Sequence, residues 1–198
     1  MFITFEGLDG SGKSTQAGLL AEALAADGRE VVATREPGGT ELGERIRDLL
    51  LGGTHVAPWA EAALFAAARA QLVEEVIAPA LARGADVVCD RYLDSSLAYQ
   101  GIARGLGLDR VLQLNLQAIR GVLPDRTYQL SIEPEASARR LHGPSDRIER
   151  EDAEFRAQVA GAYAEIAAAF PQRIITIDAT RPPDEIGREV LDELRQHS

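Results

Sequence analysis

Lysine occurs once in the 198 residues, at position 13, inside Gly7-Leu8-Asp9-Gly10-Ser11-Gly12-Lys13-Ser14. That octet is a complete G-x-x-x-x-G-K-[ST] phosphate loop. Arginine supplies the other 20 strongly basic side chains. An ammonium is thus kept at the one place where a compact, flexible point charge between phosphates is needed and a planar guanidinium substitutes poorly. The flanks agree with the motif. Residues 2–6 (Phe-Ile-Thr-Phe-Glu) read as a buried strand. From Lys13 onward, Gln16, Leu19, Leu20, Ala23 and Leu24 keep helical spacing as far as Asp27-Gly28, a helix stop. A strand, a glycine loop and a helix in this order aim backbone N–H groups and a helix N-terminus at phosphates.

The rest of the chain repeats the alternation. Apolar, β-branched runs predict strands near 2–6, 30–34, 86–90, 127–132 and 173–178. Helical patterns fill 13–27, 40–51, 58–83, 94–102, 108–121, 135–141, 149–169 and 183–195. Such alternation predicts an α/β fold, a doubly wound five-stranded parallel sheet flanked by helices. The length suits one domain, residues 1–198. Residues 142–147, His-Gly-Pro-Ser-Asp-Arg, break the helical pattern and mark a lid-like segment around 136–150.

Bulk properties exclude several classes. A net charge of −10 argues against nonspecific nucleic-acid or anionic-membrane binding, so a phosphate substrate must be held by a local arginine cluster. No apolar run approaches the ~20 residues of a membrane span. The motif begins a few residues after Met1, which gives the expectation of no signal peptide and a cytoplasmic protein. The single Cys89 fits a reducing compartment and reads as a buried structural thiol.

Asp90 closes the apolar run Asp86-Val87-Val88-Cys89-Asp90. A carboxylate at a strand end in a phosphate-loop protein acts on Mg²⁺, directly or through water. The Ser14 hydroxyl is the second candidate metal contact. The residue after Asp90 is Arg91, where ATPases that activate water want a glutamate; an arginine suits gripping a second phosphate, and hence transfer. An Asn-Lys-x-Asp guanine-reading element is excluded because the one lysine is in the loop. Phe65 and Arg69 are four apart on a helix and share a face. They are either a base-stacking and hydrogen-bonding pair or a core ring beside a solvated charge. Asp94-Ser95-Ser96-Leu97-Ala98-Tyr99-Gln100 is open between a site element and a capped helix start. Arg139, Arg140, Arg147 and Arg150 either pair with Glu149, Glu151 and Asp152 or form a lid that brings positive charge to a transferring phosphoryl group. Leu8, Asp9, Gly10 and Ser11 supply no cation, which favours the second reading.

Taken in order, Phe5-Glu6-Gly7-Leu8-Asp9-Gly10-Ser11-Gly12-Lys13-Ser14-Thr15, Thr34-Arg35-Glu36-Pro37-Gly38-Gly39-Thr40, Leu64-Phe65-Ala66-Ala67-Ala68-Arg69, Asp90-Arg91-Tyr92 and Asp146-Arg147-Ile148-Glu149 resemble bacterial thymidylate kinases nearly end to end. The resemblance implies Mg-ATP as phosphoryl donor, dTMP as acceptor and a homodimer. It puts ATP on Gly7 through Thr15 with Arg139 and Arg140. It puts Asp9 near the deoxyribose 3′-hydroxyl, Arg47 and Arg91 on the acceptor phosphate, Phe65 on the thymine face and Arg69 on its O4 edge. Ser96 would contact the base, Tyr99 would pack against the sugar and disfavour a 2′-hydroxyl, and Glu36 would support the arginines. Lys13 and Arg91 are the expected catalytic cations. Relatives without a basic residue in the phosphate loop carry a longer, arginine-rich lid. Here His142-Gly143-Pro144-Ser145 stands where a further arginine is expected, leaving the catalytic lid role open among Arg139, Arg140 and Arg147, with Arg140 or Arg147 favoured. The alternatives are a kinase for another nucleoside or nucleotide and an ATP-dependent switch that contacts a partner through helix 149–169.

Overall fold

The computed structural model describes residues 1–53, 55–141 and 146–196. Five strands, β1 (Phe2–Gly7), β2 (Val31–Arg35), β3 (Asp86–Asp90), β4 (Arg126–Ser131) and β5 (Ile174–Asp178), pair in parallel in the order β2-β3-β1-β4-β5. Each lies within one residue of the run that predicts it. The order reverses beside β1, so the loops leaving β1 and β3 splay apart at the carboxyl edge. That crevice is where open α/β sheets bind ligands.

Alternation along the strands divides the core. Phe2 pairs with Val87, and both point with Tyr92, Leu97 and Tyr163 to one face. Ile3 pairs with Val88, and both point with Phe5, Leu20, Leu24, Val190 and Leu194 to the other. The first face is covered by α3 (Pro58–Leu72), α4 (Ala78–Ala82), α5 (Leu93–Ser96), α6 (Leu108–Ile119) and α8 (Ala153–Ala169). The second is covered by α1 (Lys13–Ala26) and α9 (Pro183–Gln196). Helices α2 (Glu41–Leu51) and α3 share a small cluster of Ile46, Leu50 and Ala68, with Phe65 half-buried beside it.

The structure departs from the sequence pattern in three places. The predicted helix 58–83 runs through a π-helical stretch, Val73–Ile77, between α3 and α4. Pro79 follows in the next turn; it has no N–H to give the carbonyl four residues back, and its ring crowds that carbonyl. The predicted helix 94–102 is α5 followed by a second π-helical stretch, Leu97–Ala103. There Gly101 lets the backbone approach Leu108, whose Cα would lie 3.3 Å from a Cβ at that glycine. The predicted helix 149–169 starts only at Ala153. Asp152 caps it by accepting from Phe155 N at 2.8 Å, a stronger start signal than the polar residues before it. Of the lid-like segment, Pro134–Arg139 is the short helix α7 and residues 142–145 lie outside the described residues.

One buried ion pair ties α5 to the sheet. Arg173 donates to both oxygens of Asp94, at 2.6 and 2.8 Å, and to Thr127 Oγ1, which also bonds Thr4. Asp94 is 1% exposed. Removing one partner of such a pair strands the other charge. Arg173→Ala is therefore expected to lower the unfolding free energy in urea by about 3–5 kcal/mol. A loss under about 1 kcal/mol would mean that solvent screens the pair as it does on a surface.

Candidate active site

The phosphate loop leaves β1 at Gly7 and enters α1 at Lys13. Gly10 adopts φ +80°, and a Cβ there would lie 2.5 Å from the Ser137 carbonyl oxygen. Only glycine allows α7 to close against the loop at that point. Ser137 also donates its hydroxyl to the Asp9 carbonyl. Lys13 is buried; its Nζ donates to the Leu8 carbonyl at 2.7 Å and lies 4.0 Å from Asp9. Burial, together with the nearby Arg91, pulls the ammonium down to about 8.

Ser14 donates its hydroxyl to Asp90 Oδ2. The other carboxylate oxygen, Oδ1, is buried and has no hydrogen-bond partner among the described residues. A hydroxyl and an unsatisfied carboxylate side by side at a helix N-terminus fit Mg²⁺, which keeps waters and substrate phosphates and takes few protein ligands. No group of three or more His, Cys, Asp or Glu that could hold a metal ion occurs among the described residues.

From Lys13 and Ser14 a cleft of about 730 Å³ runs along the carboxyl edge of the sheet. At its other end Arg91 takes φ +70°, which costs a non-glycine residue ~1–2 kcal/mol. The bend is held by Arg91 N donating to Phe5 O at 2.9 Å and Tyr92 N donating to Glu6 Oε1 at 2.8 Å. It turns the guanidinium into the cleft, where it donates to Asp9 at 2.6 Å, Ser95 at 2.9 Å and Tyr163 at 3.1 Å. Burial pushes the Asp9 carboxyl up, but Arg91 and Lys13 more than reverse this and hold it at about 2. Tyr99 donates to the other Asp9 oxygen at 3.3 Å and stacks under Arg91, 5.3 Å from the ring centre.

Glu6 organises this end. The residue is fully buried and accepts from Tyr92 N, Ser95 N (3.1 Å), Ser95 Oγ (2.6 Å) and Tyr163 OH (3.0 Å). Burial, with Asp94 nearby, pushes its carboxyl up.

Arg69 sits behind the cleft at 1% exposure. Its Nε and Nη2 donate to Glu36 Oε2, Nη2 also to Tyr92 O, and Nη1 to Ser96 Oγ at 3.0 Å and to Asn115. All five guanidinium donors are engaged. Burial pushes the Glu36 carboxyl up to about 7, against the pull of Arg69; its Oε1 is buried without a hydrogen-bond partner among the described residues. Phe65, Ser96, Gln100 and Arg47 line the cleft, and Arg47 donates to Pro37 O at 2.9 Å.

The lid arginines separate. Arg140 lines the cleft at the phosphate-loop end and donates to Ala179 O at 2.9 Å. Arg139 is exposed at the end of α7. Arg147 donates to Leu50 O at 2.8 Å and Glu61 at 2.6 Å, on the α2–α3 side. Three features in or behind the cleft receive no individual role in the motif-based reading. Gln100 is one. Another is the turn after β5, with Ala179 and Arg181 on the cleft; its place past a strand's carboxyl end was the available signal. The third is Glu6, a charge closing an apolar strand.

Residues 5–190 match the family model described as thymidylate kinase. The chain belongs to the thymidylate kinase family. It is 50% identical to a thymidylate kinase of Synechococcus sp. (strain JA-3-3Ab), covering 96% of this chain and 93% of the relative. It is 46% identical to one from Bifidobacterium longum (strain DJO10A), covering 99% and 98%. The crystal structure of thymidylate kinase from Ehrlichia chaffeensis superposes with a TM-score of 0.82 at 37% identity over 98% of each chain. No helix among the described residues is long and apolar enough to cross a membrane.

Lysine-specific ¹⁵N labelling reports a single side chain in this protein. The Lys13 ammonium is expected to titrate at about 8 in the free protein and to move upward when a nucleoside triphosphate binds, because phosphate favours the charged form. Affinity for the triphosphate should accordingly fall as pH rises through 8. The unfolded chain, with lysine near ~10.4, holds more protons between the two values, so folding stability contributed by this group rises with pH across that window. A free-protein midpoint near ~10.4 would show an ammonium in contact with water.

Proposed function

We propose that the cleft transfers the γ-phosphoryl group of Mg-ATP to the 5′-phosphate of dTMP, giving dTDP and ADP. The observation that carries this reading is one continuous cleft with the Lys13–Ser14–Asp90 set at one end and Arg91, Asp9, Tyr99, Ser96 and Phe65 at the other, in a chain of the thymidylate kinase family. An ionised oxygen of the acceptor phosphate attacks the γ-phosphorus in line while the bond to the β,γ-bridging oxygen breaks. That oxygen is already nucleophilic, so no general base is required, and positioning and charge stabilisation are the protein's part.

Each residue has a role in this reading. Backbone N–H groups of the loop and the Lys13 ammonium hold the β- and γ-phosphates. Ser14 and Asp90 would hold Mg²⁺, which would supply positive charge against the charge that develops on the transferred group. Arg91 and Arg47 grip the acceptor phosphate. Asp9, kept ionised by Arg91, faces the sugar, and Tyr99 closes the space beside it. Phe65 stacks on the base. Arg69, with every donor engaged, acts on the base through Ser96 and Glu36. Arg140 is the lid arginine on the donor side. Arg147, held by Leu50 O and Glu61, stands on the acceptor side. The chain as a whole is one kinase domain in the cytoplasm. It works as a homodimer, to which Leu42 and Leu49, seven apart on α2 and 45% and 59% exposed, contribute an apolar face.

The reading is tested by ADP release from the purified protein with dTMP, dUMP, dCMP, dGMP and AMP. dTMP-dependent turnover above all others is expected; turnover without an acceptor, or with AMP preferred, overturns it. Lys13→Ala should keep the fold by circular dichroism and lose at least ~10²-fold in kcat; retention of a tenth of kcat would contradict the assigned role. Phe65→Ala should raise KM for dTMP ~10- to 100-fold, as loss of base stacking does elsewhere, with KM for ATP unchanged. Equal weakening of both substrates would make Phe65 a packing residue. In single-turnover kinetics Arg140→Ala should slow transfer at least ~10³-fold and Arg147→Ala far less; the reverse order would move the finger to Arg147.

A further inference from the structure

Glu61, on the first turn of α3, is buried at 1% exposure with no phosphate, sugar or base role in the assignments above. Both its oxygens are in use. Oε1 accepts from Gln100 Nε2 at 2.9 Å and from Arg104 Nε at 3.3 Å; Oε2 accepts from Arg147 at 2.6 Å and Arg104 Nη2 at 3.4 Å. Burial alone would push this carboxyl up, but Gln100, Arg147 and Arg104 hold it below the usual carboxylate range. It is therefore ionised and accepts hydrogen bonds only.

That fixes the orientation of Gln100. Facing an acceptor-only carboxylate, the amide must present its NH₂ group, which leaves Oε1 as the acceptor available to the cleft that Gln100 lines. Ser96 is fixed by the opposite logic. The Arg69 guanidinium is donor-only, so Ser96 Oγ accepts from it at 3.0 Å. The Ser96 hydroxyl proton has no acceptor among the partners found for it, and Ser96 and Gln100 both line the cleft. Ser96 and Gln100, four residues apart in the chain, thereby offer one donor and one acceptor to the same cleft. Thymine and uracil carry O4, an acceptor, next to N3–H, a donor; cytosine carries an amino donor next to an unprotonated N3 acceptor. The first edge matches the pair; the second sets its unprotonated N3 against the Gln100 oxygen, acceptor against acceptor.

We propose that Glu61 is a positioning residue for base choice: it locks the Gln100 amide with its oxygen toward the base and so makes the acceptor site accept thymine and reject cytosine. The proposal rests on the cleft being the dTMP site. Glu61 touches no substrate and acts through Gln100.

The test is the ratio of kcat/KM for dTMP to that for dCMP in Glu61→Gln. The substituted amide has the same shape and both donor and acceptor atoms, so Gln100 is free to turn over. The ratio is expected to fall at least about tenfold, the scale of leaving a buried polar group unmatched. KM for dTMP should rise, with kcat for dTMP and KM for ATP within about threefold of wild type. Glu61→Asp keeps the charge for Arg104 and Arg147 and shortens the reach to Gln100. It serves as the second variant, with a fall of at least about threefold expected, and carries the test alone where Glu61→Gln does not fold. A folded variant with wild-type ratio overturns the proposal. Wild-type protein that fails to turn over dTMP overturns the function reading instead, so the two failures are told apart.

Discussion

One buried carboxylate sets the relation between the two ends of the cleft. Glu6 stands where β1 passes into the phosphate loop, and it accepts four hydrogen bonds from Tyr92, Ser95 and Tyr163. The loop on one side and the bend after β3 on the other are thus referred to the same pair of oxygens. The left-handed backbone of Arg91, unfavourable by itself, is held by that arrangement, and through it the Arg91 guanidinium reaches Asp9. Phosphoryl transfer asks for little covalent chemistry and for reacting groups aligned closely enough that a misplacement of ~1 Å costs ~10²-fold. A single buried reference shared by both ends of the cleft meets that demand.

The charges of the site are arranged in matched, desolvated groups. A chain of net charge −10 repels nucleotides at long range. Locally, Lys13, Arg47, Arg91 and Arg140 line one cleft, and the acids among them are committed: Asp9 to Arg91, Glu36 to Arg69. Lys13 differs in being incompletely matched. Burial and Arg91 disfavour its charge until phosphate arrives. A site that is short of anionic partners when empty favours the ligand that supplies them.

What could be read from the sequence is what neighbouring residues determine. The phosphate loop, Asp90-Arg91-Tyr92 and all five strands are local patterns, and the structure has the strands within a residue of them. The site partners that matter for Arg69 stand at positions 36, 92, 96 and 115, and no spacing rule links these. Arg69 therefore reads as either solvated or base-facing, and it is buried behind Ser96. Gln100 and Glu61 are likewise 39 residues apart. Arg140 and Arg147 look equivalent in the sequence, both flanking one break, yet one is held by Ala179 beyond β5 and the other by Glu61 on α3. Side-chain direction at that break is decided by tertiary partners alone. The π-helical stretches follow from Pro79 and from the close approach at Gly101, where a helical period gives no warning.

Glu6→Gln tests the central claim most directly, because it keeps the shape of the anchor while turning one acceptor into a donor that faces donors. Single-turnover phosphoryl transfer with saturating ATP and dTMP is the quantity to measure, beside circular dichroism and the two dissociation constants. The account predicts a folded protein that binds each nucleotide within about threefold of wild type and transfers at least ~10²-fold more slowly. Transfer at the wild-type rate in a folded Glu6→Gln protein would contradict it, and would mean that Asp9 and Arg91 hold the two ends in register without the buried carboxylate between them.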